Sequence, residues 1–241
     1  MMSKFWDKEL PVGYYDKIVT YGLKENKGLQ ANWHNSTFLK VKKYISKNDI
    51  HLDFACGSGT FIGKYLYNNS LGVDISNNQI SYAKNEYGNT IYKTTHEFDL
   101  EKNKNKYDVI TVIGLLEFLD NKESLELIDS LYPLLKKNGE ILFTTPNFRS
   151  LMSFFLVILN VFGKVNYSKQ YKNKHTLNSL NNLLNSNKYG EVKTTKFLNF
   201  GIFYSLLNIQ KSLSLMKKID NLFNNNFGYL LLGKIKKYDE K

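Results

Sequence analysis

The 241-residue sequence predicts an α/β fold: a doubly wound, mostly parallel seven-stranded sheet with helical caps. Three observations predict it. From residue 50 onward, short apolar segments alternate with helical segments, which is the pattern of βαβ units. One of these segments, "YDVITVIG", is continuously apolar, as strands buried on both faces are. A glycine-rich turn, "ACGSG", directly follows the first strand, at the sheet edge where such folds bind ligands.

Each strand is predicted from a run of apolar or β-branched residues. In chain order the strands are "IHLDFA", "SLGVDI", "TIYKTT", "YDVITVIG", "EILFTTP", "EVKTTKFL" and "YLLLGKIKK". Helices are predicted over "GLQANWHNSTFLKVKKYI", 59–67, 76–85, "KESLELIDSLYPLLKKNG" with a stop at Gly139, and 176–187. The last two strands flank an amphipathic insert, 199–226.

The composition indicates a globular protein of a reducing compartment. One cysteine excludes a disulfide framework, and no run of 18 apolar residues predicts a transmembrane helix. Because the N-terminus lacks the apolar segment of a secretory signal, we expect a cytoplasmic protein. The net charge of +11 is uneven, since residues 151–241 hold 14 lysines against 4 acidic residues. This excess indicates contact with nucleic acid or an anionic membrane surface, unless it only reflects the general abundance of lysine.

The turn after the first strand resembles a nucleotide-binding loop only in part. A dinucleotide site needs G-x-G-x-x-G/A and an acidic residue about 20 positions further on. Gly57, Gly59 and Asp74 fit this pattern, but Ile62 occupies the position of the third small residue. A mononucleotide phosphate loop, G-x-x-x-x-G-K-[ST], has no match here, and Asp53 would repel a pyrophosphate.

A ligand with a positive charge and a ribose, but no phosphate, suits the same residues better. S-adenosylmethionine (SAM) is such a ligand, with a sulfonium, an ammonium and two free ribose hydroxyls. Ala55, Gly57 and Gly59 would let the backbone approach it closely. Asp53 could bind the ammonium directly or through water, and Asp74 could accept hydrogen bonds from both ribose hydroxyls.

Four segments resemble the signatures of class I SAM-dependent methyltransferases. "DFACGSG" resembles their D/E-x-G/A-x-G-x-G motif, and "GVDIS" resembles their second strand. "FDLEKNKNKYDVI" resembles the segment that carries an adenine-side acid, and "LLKKNGEILFTTPN" resembles their helix, turn and fifth strand. These segments follow one another at the family's spacing, and the resemblance covers approximately residues 30–235. It implies the Rossmann-like methyltransferase fold.

The resemblance also implies roles for individual residues. Asp74 would bind the ribose, Gly57 the methionine part, and Asp99 the exocyclic amine of adenine. Three apolar residues would sandwich or line the adenine, namely Ile75, Leu100 and Leu115. We predict no metal site.

Methyl transfer is an in-line displacement, so the enzyme mainly aligns its substrates and excludes water. A hydroxyl or carbon acceptor must also lose a proton, for which His34, His175 and Glu117 are candidate bases. Both histidines stand where related enzymes cap the active site. "GLLEFLDN" resembles the "EH" segment of ubiquinone-pathway O-methyltransferases, but Phe118 replaces the histidine. We expect His51, at the start of the first strand, to be structural.

We therefore predict a small-molecule methyltransferase acting on oxygen or carbon of a lipid, polyprenyl or glycan-related metabolite. Two alternatives stay open. One is an RNA methyltransferase or RNA-binding protein that uses the basic C-terminal half, although its basic residues come with aliphatic stretches rather than an obvious RNA-binding module. The other is a partner protein that keeps the fold without catalysis. We expect one domain, 1–241, with an N-terminal cap 1–49, a SAM-binding core 50–146 and acceptor-side caps 147–190 and 199–226.

The amphipathic insert predicts a peripheral contact with a membrane. Its apolar residues follow helical spacing: Ile202, Leu206, Ile209, Leu213, Met216 and Phe223. Lys211, Lys217 and Lys218 lie on another face, where they could contact anionic lipid. "LMSFFLVILNVFG" is too short to span a bilayer, but it could enter the interface or wall a lipid-shaped acceptor pocket. Alternatively, both segments cap the protein's own core.

Overall fold

A computed structural model describes residues 5–66, 69–88, 91–162, 165–185, 190–223 and 228–238. Within these ranges the chain forms one seven-stranded sheet. Its strands are β1 Ile50–Phe54, β2 Asn69–Asp74, β3 Tyr92–Thr94, β4 Tyr107–Ile113, β5 Leu135–Pro146, β6 Glu191–Phe197 and β7 Leu230–Lys236.

The strand order is β3-β2-β1-β4-β5-β7-β6. Strands β1 to β5 pair in parallel, and β7 is antiparallel to both of its neighbours. The chain direction across the sheet reverses between β1 and β4, and ligands of doubly wound folds bind at the carboxyl ends of the strands at such a point. The predicted fold class is confirmed.

Helices cover both faces of the sheet. They are α1 Tyr14–Lys24, α2 Leu29–Lys42, α3 Thr60–Tyr65, α4 Asn77–Tyr87, α5 Asn121–Leu131, α6 Met152–Phe162, α7 Leu177–Leu184 and α8 Ile209–Phe223. Shorter helical turns occupy Phe5–Glu9, Glu101–Asn103, Leu116–Phe118, Tyr132–Leu134 and Phe200–Leu206. Parts of some predicted elements lie outside the described residues, namely 67, 90, 163, 186–187 and 224–226.

The helix predicted to stop at Gly139 is wrong at its C-terminal end. Helix α5 ends at Leu131 and passes into the short helical turn Tyr132–Leu134, where Pro133 has no backbone N–H to continue the α-helical hydrogen bonds. The chain enters β5 at Leu135, which pairs with Tyr107. A register shift follows before the regular pairing resumes at Glu140. Lys136 and Lys137, which the sequence placed in the helix, therefore belong to strand β5.

The apolar stripe of the predicted insert contributes to the protein's own core. Ile202, Ile209 and Met216 are buried, and Ser212 of α8 donates a hydrogen bond to the Gly201 carbonyl. Leu206 and Phe223 of the same stripe are 60% and 44% exposed, so the stripe lies only partly in the core, and the membrane contact stays a prediction. No helix in the described part of the chain is long and apolar enough to cross a membrane.

Helix α6, which contains most of "LMSFFLVILNVFG", leaves an apolar face in solvent. Leu156 of α6 is buried. Leu151, just before the helix, and Phe154, Val157 and Val161 within it are 59–67% exposed. Exposed apolar side chains therefore lie on α6 as well as in the insert, at Leu206, Leu207 and Leu222.

Candidate active site

A cavity of about 630 Å³ opens at the carboxyl ends of β1, β2 and β4. This volume lies within the range of about 300–1,000 Å³ that is usual for ligand sites. Its lining comes from the N-terminal segment, α2, the loops after β1, β2 and β4, the end of β5, α6 and the loop 165–171. The cavity therefore lies at the predicted ligand-binding edge of the sheet.

The loop after β1 is shaped by left-handed backbone. Ala55 has a φ of 65°, and Gly57 and Gly59 have φ of 54° and 76°. The Ala55 and Cys56 amides both donate to the Val73 carbonyl, which attaches the loop to β2. Added side-chain atoms at Gly57 would meet only the Tyr15 ring, at 3.8 Å, so this backbone is accessible from the cavity.

Asp74 lies at the end of β2 with its carboxylate at the cavity. Its Oδ2 accepts a hydrogen bond from the Gly57 amide, and its Oδ1 accepts one from the Ser76 amide, both at 2.8 Å. Each carboxylate oxygen has about two acceptor positions, so each can still accept a ligand hydroxyl. Ser76 also caps α4, because its Oγ accepts a hydrogen bond from the Gln79 amide.

Asp53 is buried beside Asp74 and is held by a chain of hydrogen bonds through the sheet. Its Oδ1 accepts a hydrogen bond from Thr111 Oγ1 at 2.7 Å, and His51 Nε2 lies 2.9 Å from the same Thr111 oxygen. The other nitrogen of His51 lies 3.0 Å from Ser70 Oγ. Desolvation raises the pKa of Asp53 to about 7, against the effect of the Thr111 hydroxyl. His51 is structural, as expected, and its partner Thr111 positions Asp53.

A second carboxylate, Glu117, lies in the short helical turn after β4. The residue is 5% exposed and lines the cavity. Burial raises the pKa of Glu117 to about 7, and the nearby Thr145 hydroxyl partly offsets this effect. Even so, Glu117 Oε2 and Thr145 Oγ1 each lack a partner at hydrogen-bond geometry within the described residues. The Glu117 carbonyl accepts hydrogen bonds from the Lys172 and Asn173 amides, which fix the loop beside it.

Five aromatic residues of the cavity wall form a connected group, which we name the aromatic box: Trp6, Tyr15, Phe118, Tyr167 and Tyr171. The rings of Trp6 and Phe118 meet edge to face with centroids 4.9 Å apart, and Phe118 stacks on Tyr171 at 5.4 Å. The hydroxyls of Tyr15 and Tyr167 lie 2.9 Å apart.

The two candidate histidines differ in their access to this cavity. His34 lines it, stacked on Trp33 and edge to face with Tyr15 at 5.2 Å. Burial lowers the pKa of His34 to about 4, so the ring is neutral near pH 7. His175 is buried outside the lining, and burial lowers its pKa as well, partly offset by the Leu116 backbone. The structure therefore brings His34 and Glu117 to the cavity. His175 does not line the cavity, and its catalytic role stays a prediction.

Most of the predicted cofactor residues lie at the cavity, but three do not. Asp53, Ala55, Gly57, Asp74, Ile75 and Leu115 line it. Gly59 instead packs against Tyr92, whose hydroxyl donates to the Gly59 carbonyl. Asp99 and Leu100 lie outside the lining, and the Asp99 carboxylate accepts from the Lys102 amide and pairs with its ammonium. The adenine-binding roles of Asp99 and Leu100 stay predictions.

The charge of the lining is opposite to that of the chain. Five acidic residues line the cavity, namely Asp53, Asp74, Glu117, Glu123 and Glu126. Although the sequence holds 33 lysine and arginine residues, none of those that the structure describes lines it. The same described ranges hold no group of three or more His, Cys, Asp or Glu residues arranged for a metal ion.

The N-terminal segment closes the cavity and is bonded to α4. Asp7 Oδ1 accepts hydrogen bonds from Ser76 Oγ and the Asn78 amide. Gln79 accepts a hydrogen bond from the Gly13 amide through Oε1 and donates one to the Pro11 carbonyl through Nε2. Ser76 therefore binds both Asp7, through its hydroxyl, and Asp74, through its amide. The N-terminal segment and the Asp74 carboxylate are thus both attached to the N-terminus of α4.

Further along this segment, Asp16 of α1 is a buried acceptor for tyrosines of α4. Its carboxylate accepts hydrogen bonds from the Tyr82 and Tyr87 hydroxyls, and its amide donates to Ser58 Oγ. These contacts attach α1 both to α4 and to the loop after β1. The N-terminal cap is thus part of the wall of the site.

Several residues of this site were not predicted from the sequence. Thr111 and Thr145 lie within apolar strands, where a buried hydroxyl needs a specific hydrogen-bond partner. Their presence in these strands could therefore have indicated a polar site from the sequence. Trp6, Tyr167 and Tyr171 are far from the core motifs in sequence, and only the fold brings them together.

The geometry can now be set beside known proteins. A family model described as a methyltransferase domain matches residues 30–195. The chain belongs to this methyltransferase family. The matched range contains β1 to β5 and both carboxylates at the carboxyl ends of β1 and β2. Membership of this family confirms the prediction that the protein is an enzyme.

Curated relatives of the methyltransferase match it over less than half of their length. An uncharacterised protein of Methanocaldococcus jannaschii is 31% identical over 107 residues, which are 44% of this chain and 41% of the relative. A tRNA (guanine-N(7)-)-methyltransferase of Clostridium botulinum is 30% identical over 104 residues, or 41% and 42%. The chain thus spans about two fifths of each of these relatives.

Solved structures resemble the methyltransferase over nearly its whole length. The plantazolicin methyltransferase BamL, in complex with a triazolic desmethylPZN analog and S-adenosylhomocysteine (SAH), has a TM-score of 0.60 at 18% identity and covers 99% of this chain and 95% of its own. A SAM-dependent methyltransferase of Archaeoglobus fulgidus has a TM-score of 0.57 at 19% identity, covering 84% and 94%. These likenesses show the fold. The plantazolicin methyltransferase BpumL is likewise in complex with SAH, at 20% identity and a TM-score of 0.57.

The residues of the cavity fit SAM on physical grounds. The Asp74 oxygens keep free acceptor positions for two ribose hydroxyls, and the loop at Gly57 is open to a ligand. The buried Asp53 carboxylate accepts one hydrogen bond, from the Thr111 hydroxyl. A cationic ligand group would therefore offset the free-energy cost of burying its charge. Nothing described in the lining offers a positive charge to a phosphate.

Proposed function

We propose that this methyltransferase transfers the methyl group of SAM to a small, largely apolar acceptor, at an oxygen or carbon atom. The observation that carries the proposal is the cavity lining, which combines the aromatic box with carboxylates and, in its described part, includes no lysine or arginine. On the acceptor side, such a lining disfavours phosphates and carboxylates, because each would be buried there without a counter-charge. Neutral and cationic acceptors, including lipid-like and polyprenyl ones, suit it.

The chain's own residues divide into two groups for this reaction. SAM supplies an electrophilic methyl group when bound. Asp74 would hold the ribose and Asp53 the ammonium, while the loop at Ala55 and Gly57 lies along the methionine part. The aromatic box excludes water and fixes the acceptor, which is the main requirement of an in-line displacement.

A hydroxyl or carbon acceptor must also lose a proton at the cavity. Neutral His34 and Glu117, whose pKa is near 7, are the groups placed to accept one. A base whose pKa lies near the working pH is the most effective, which favours Glu117.

RNA methylation is the second candidate, supported by two observations. Curated relatives are named tRNA (guanine-N(7)-)-methyltransferases, and residues 151–241 are strongly basic. However, an RNA substrate would bring phosphates to the mouth of a cavity lined by five acidic residues. The small-molecule proposal accounts for the lining, and the RNA proposal does not.

One experiment separates these proposals. The purified protein is incubated with isotope-labelled SAM and, separately, with the small-molecule fraction and the RNA fraction of cell extract. Label should enter a small organic product, identified by mass spectrometry, and a boiled-protein control should give none. Label in RNA, with binding that falls steeply as salt rises, would replace the proposal with the RNA one.

We further propose that the protein is cytoplasmic and contacts an anionic membrane surface through α6. Phe154, Val157 and Val161 are more than half exposed on one face of this helix. Apolar side chains at an interface contribute with basic residues to reversible binding. Phe154→Ser should reduce co-sedimentation with anionic vesicles, whereas Tyr21→Ser, at an exposed position of α1, should not. Equal binding of both variants would contradict the role of α6.

A further inference from the structure

The aromatic box and Glu117 together form a site that the cofactor-binding residues do not explain. Asp53 and Asp74 lie at the ends of β1 and β2, whereas Glu117 follows β4 in a separate helical turn. The carboxylate is nearly fully buried, its Oε2 has no partner within the described residues, and it lines the cavity. A buried carboxylate without a partner is costly unless a ligand supplies a donor or a charge.

Glu117 directly precedes Phe118 of the aromatic box and lines the same cavity. Its charge contributes, together with a larger effect of burial, to raising the pKa of both Tyr15 and Tyr171. Trp6, Phe118 and Tyr167 complete the wall, with Phe118 in contact with both Trp6 and Tyr171. Aromatic faces attract cations, and the effect grows when water is excluded. Carboxylate and rings therefore favour the same kind of ligand group.

The remaining lining of this region excludes an anion. The acids Glu123 and Glu126 stand further along the same wall, and both are already paired, with Lys172 and Lys122. Those lysines pair with carboxylates and are not part of the lining. Glu117 is left as the buried acid with a free acceptor oxygen.

We propose that the acceptor carries a protonated nitrogen, an ammonium or guanidinium group, that Glu117 binds inside the aromatic box. This inference rests on the proposed function, and it adds the chemical class of the acceptor. The nitrogen serves as the anchor that orients the acceptor, and the proposal does not assign the atom that is methylated. With such an acceptor Glu117 is occupied by the cation, so His34 is the group of the lining left to accept a proton.

The test is a binding experiment on SAH-loaded protein, so it does not depend on turnover. Three probes of similar shape differ in one group: phenethylamine, protonated at neutral pH, 2-phenylethanol and phenylacetate. Phenethylammonium should bind about ten- to a hundredfold more tightly than the alcohol, since it gains a charge-assisted hydrogen bond. Phenylacetate should bind least. Isothermal titration calorimetry measures all three.

Glu117→Gln keeps the size of the side chain and removes its charge, so it should abolish the preference for the ammonium probe. Glu126→Gln is the matched control, because it removes a paired acid of the same lining, and it should keep the preference. SAH affinity and the melting temperature of each variant show that the site is folded.

Three results would overturn the inference. They are equal binding of amine and alcohol, no binding of the amine to protein that binds SAH, and a preference that survives in Glu117→Gln. A large loss of SAH affinity in Glu117→Gln would also overturn it, by assigning the carboxylate to the cofactor. If the wild-type protein binds no SAM or SAH at all, the proposed function fails instead, so the two failures are distinguishable.

Discussion

Replacing Asp74 with asparagine should weaken SAM binding by about ten- to a hundredfold. The carboxylate accepts hydrogen bonds from Gly57 and Ser76, and each oxygen keeps a free position for a ribose hydroxyl. Asparagine has one acceptor oxygen, so one ribose hydroxyl and one backbone amide would each lose a partner. A hydrogen bond to a charged group contributes about 1.5–3 kcal/mol, and about 1.4 kcal/mol corresponds to a tenfold change in affinity.

Titration calorimetry with SAM measures this change, and a thermal melt reports the cost of the lost amide partner, about 1–3 kcal/mol. Asp108→Asn is the control, because the Asp108 carboxylate also accepts from a backbone amide, that of Ile50 at 2.8 Å. Asp108 lies at the start of β4, at the opposite edge of the sheet. An unchanged SAM affinity in Asp74→Asn would refute the ribose assignment, and saturable NAD binding would restore the dinucleotide interpretation.

The other predictions concern groups around the same cavity. Thr111→Val removes the donor to Asp53, which should raise the pKa of Asp53 further and move the pH midpoint of SAM binding upward, as titrations between pH 6 and 8 would show. His34→Ala should lower turnover by about 10²–10⁴-fold if His34 takes the proton, whereas His175→Ala should leave turnover nearly unchanged; the reverse order would return the role to His175. Glu117 has a pKa of about 7 in the folded state and 4.5 ordinarily, so between pH 7 and pH 5 the folded state binds a proton that the unfolded state does not bind. The melting temperature of the wild type, measured relative to that of Glu117→Gln, should therefore rise as the pH falls from 7 to 5.

The core of the fold could be predicted because its signals are local. Strand β4 is mostly apolar, and the end of β1 is marked by Asp53 and the glycines that follow it. Both the sheet and its ligand-binding edge can therefore be predicted from short stretches of sequence. The end of α5 was misplaced because leucines and lysines around Pro133 continue a helical pattern. The proline and the pairing of Leu135 with β4 outweigh that pattern.

The acceptor side could not be predicted in the same way. Trp6 and Tyr15 of the N-terminal segment, Phe118 and Tyr167 come from three separate parts of the chain, and a single sequence gives no signal that they meet. Tyrosine and phenylalanine are abundant throughout, so composition does not distinguish a wall of the site from ordinary core. For the same reason, the exposed face of α6 could not be told apart from the buried stripe of α8.

The attachment of the N-terminal segment to α4 has a consequence for how this enzyme can be altered. The family match begins at residue 30, yet Trp6, Tyr14 and Tyr15 of the wall precede it. The proposed acceptor site is thus partly encoded outside the region that defines the family, in a segment that is joined to the family domain through side chains of α4. A chimaera that carries another protein's N-terminal segment would also need matching residues at Ser76 and Gln79, or it would lose the closed site together with the old specificity.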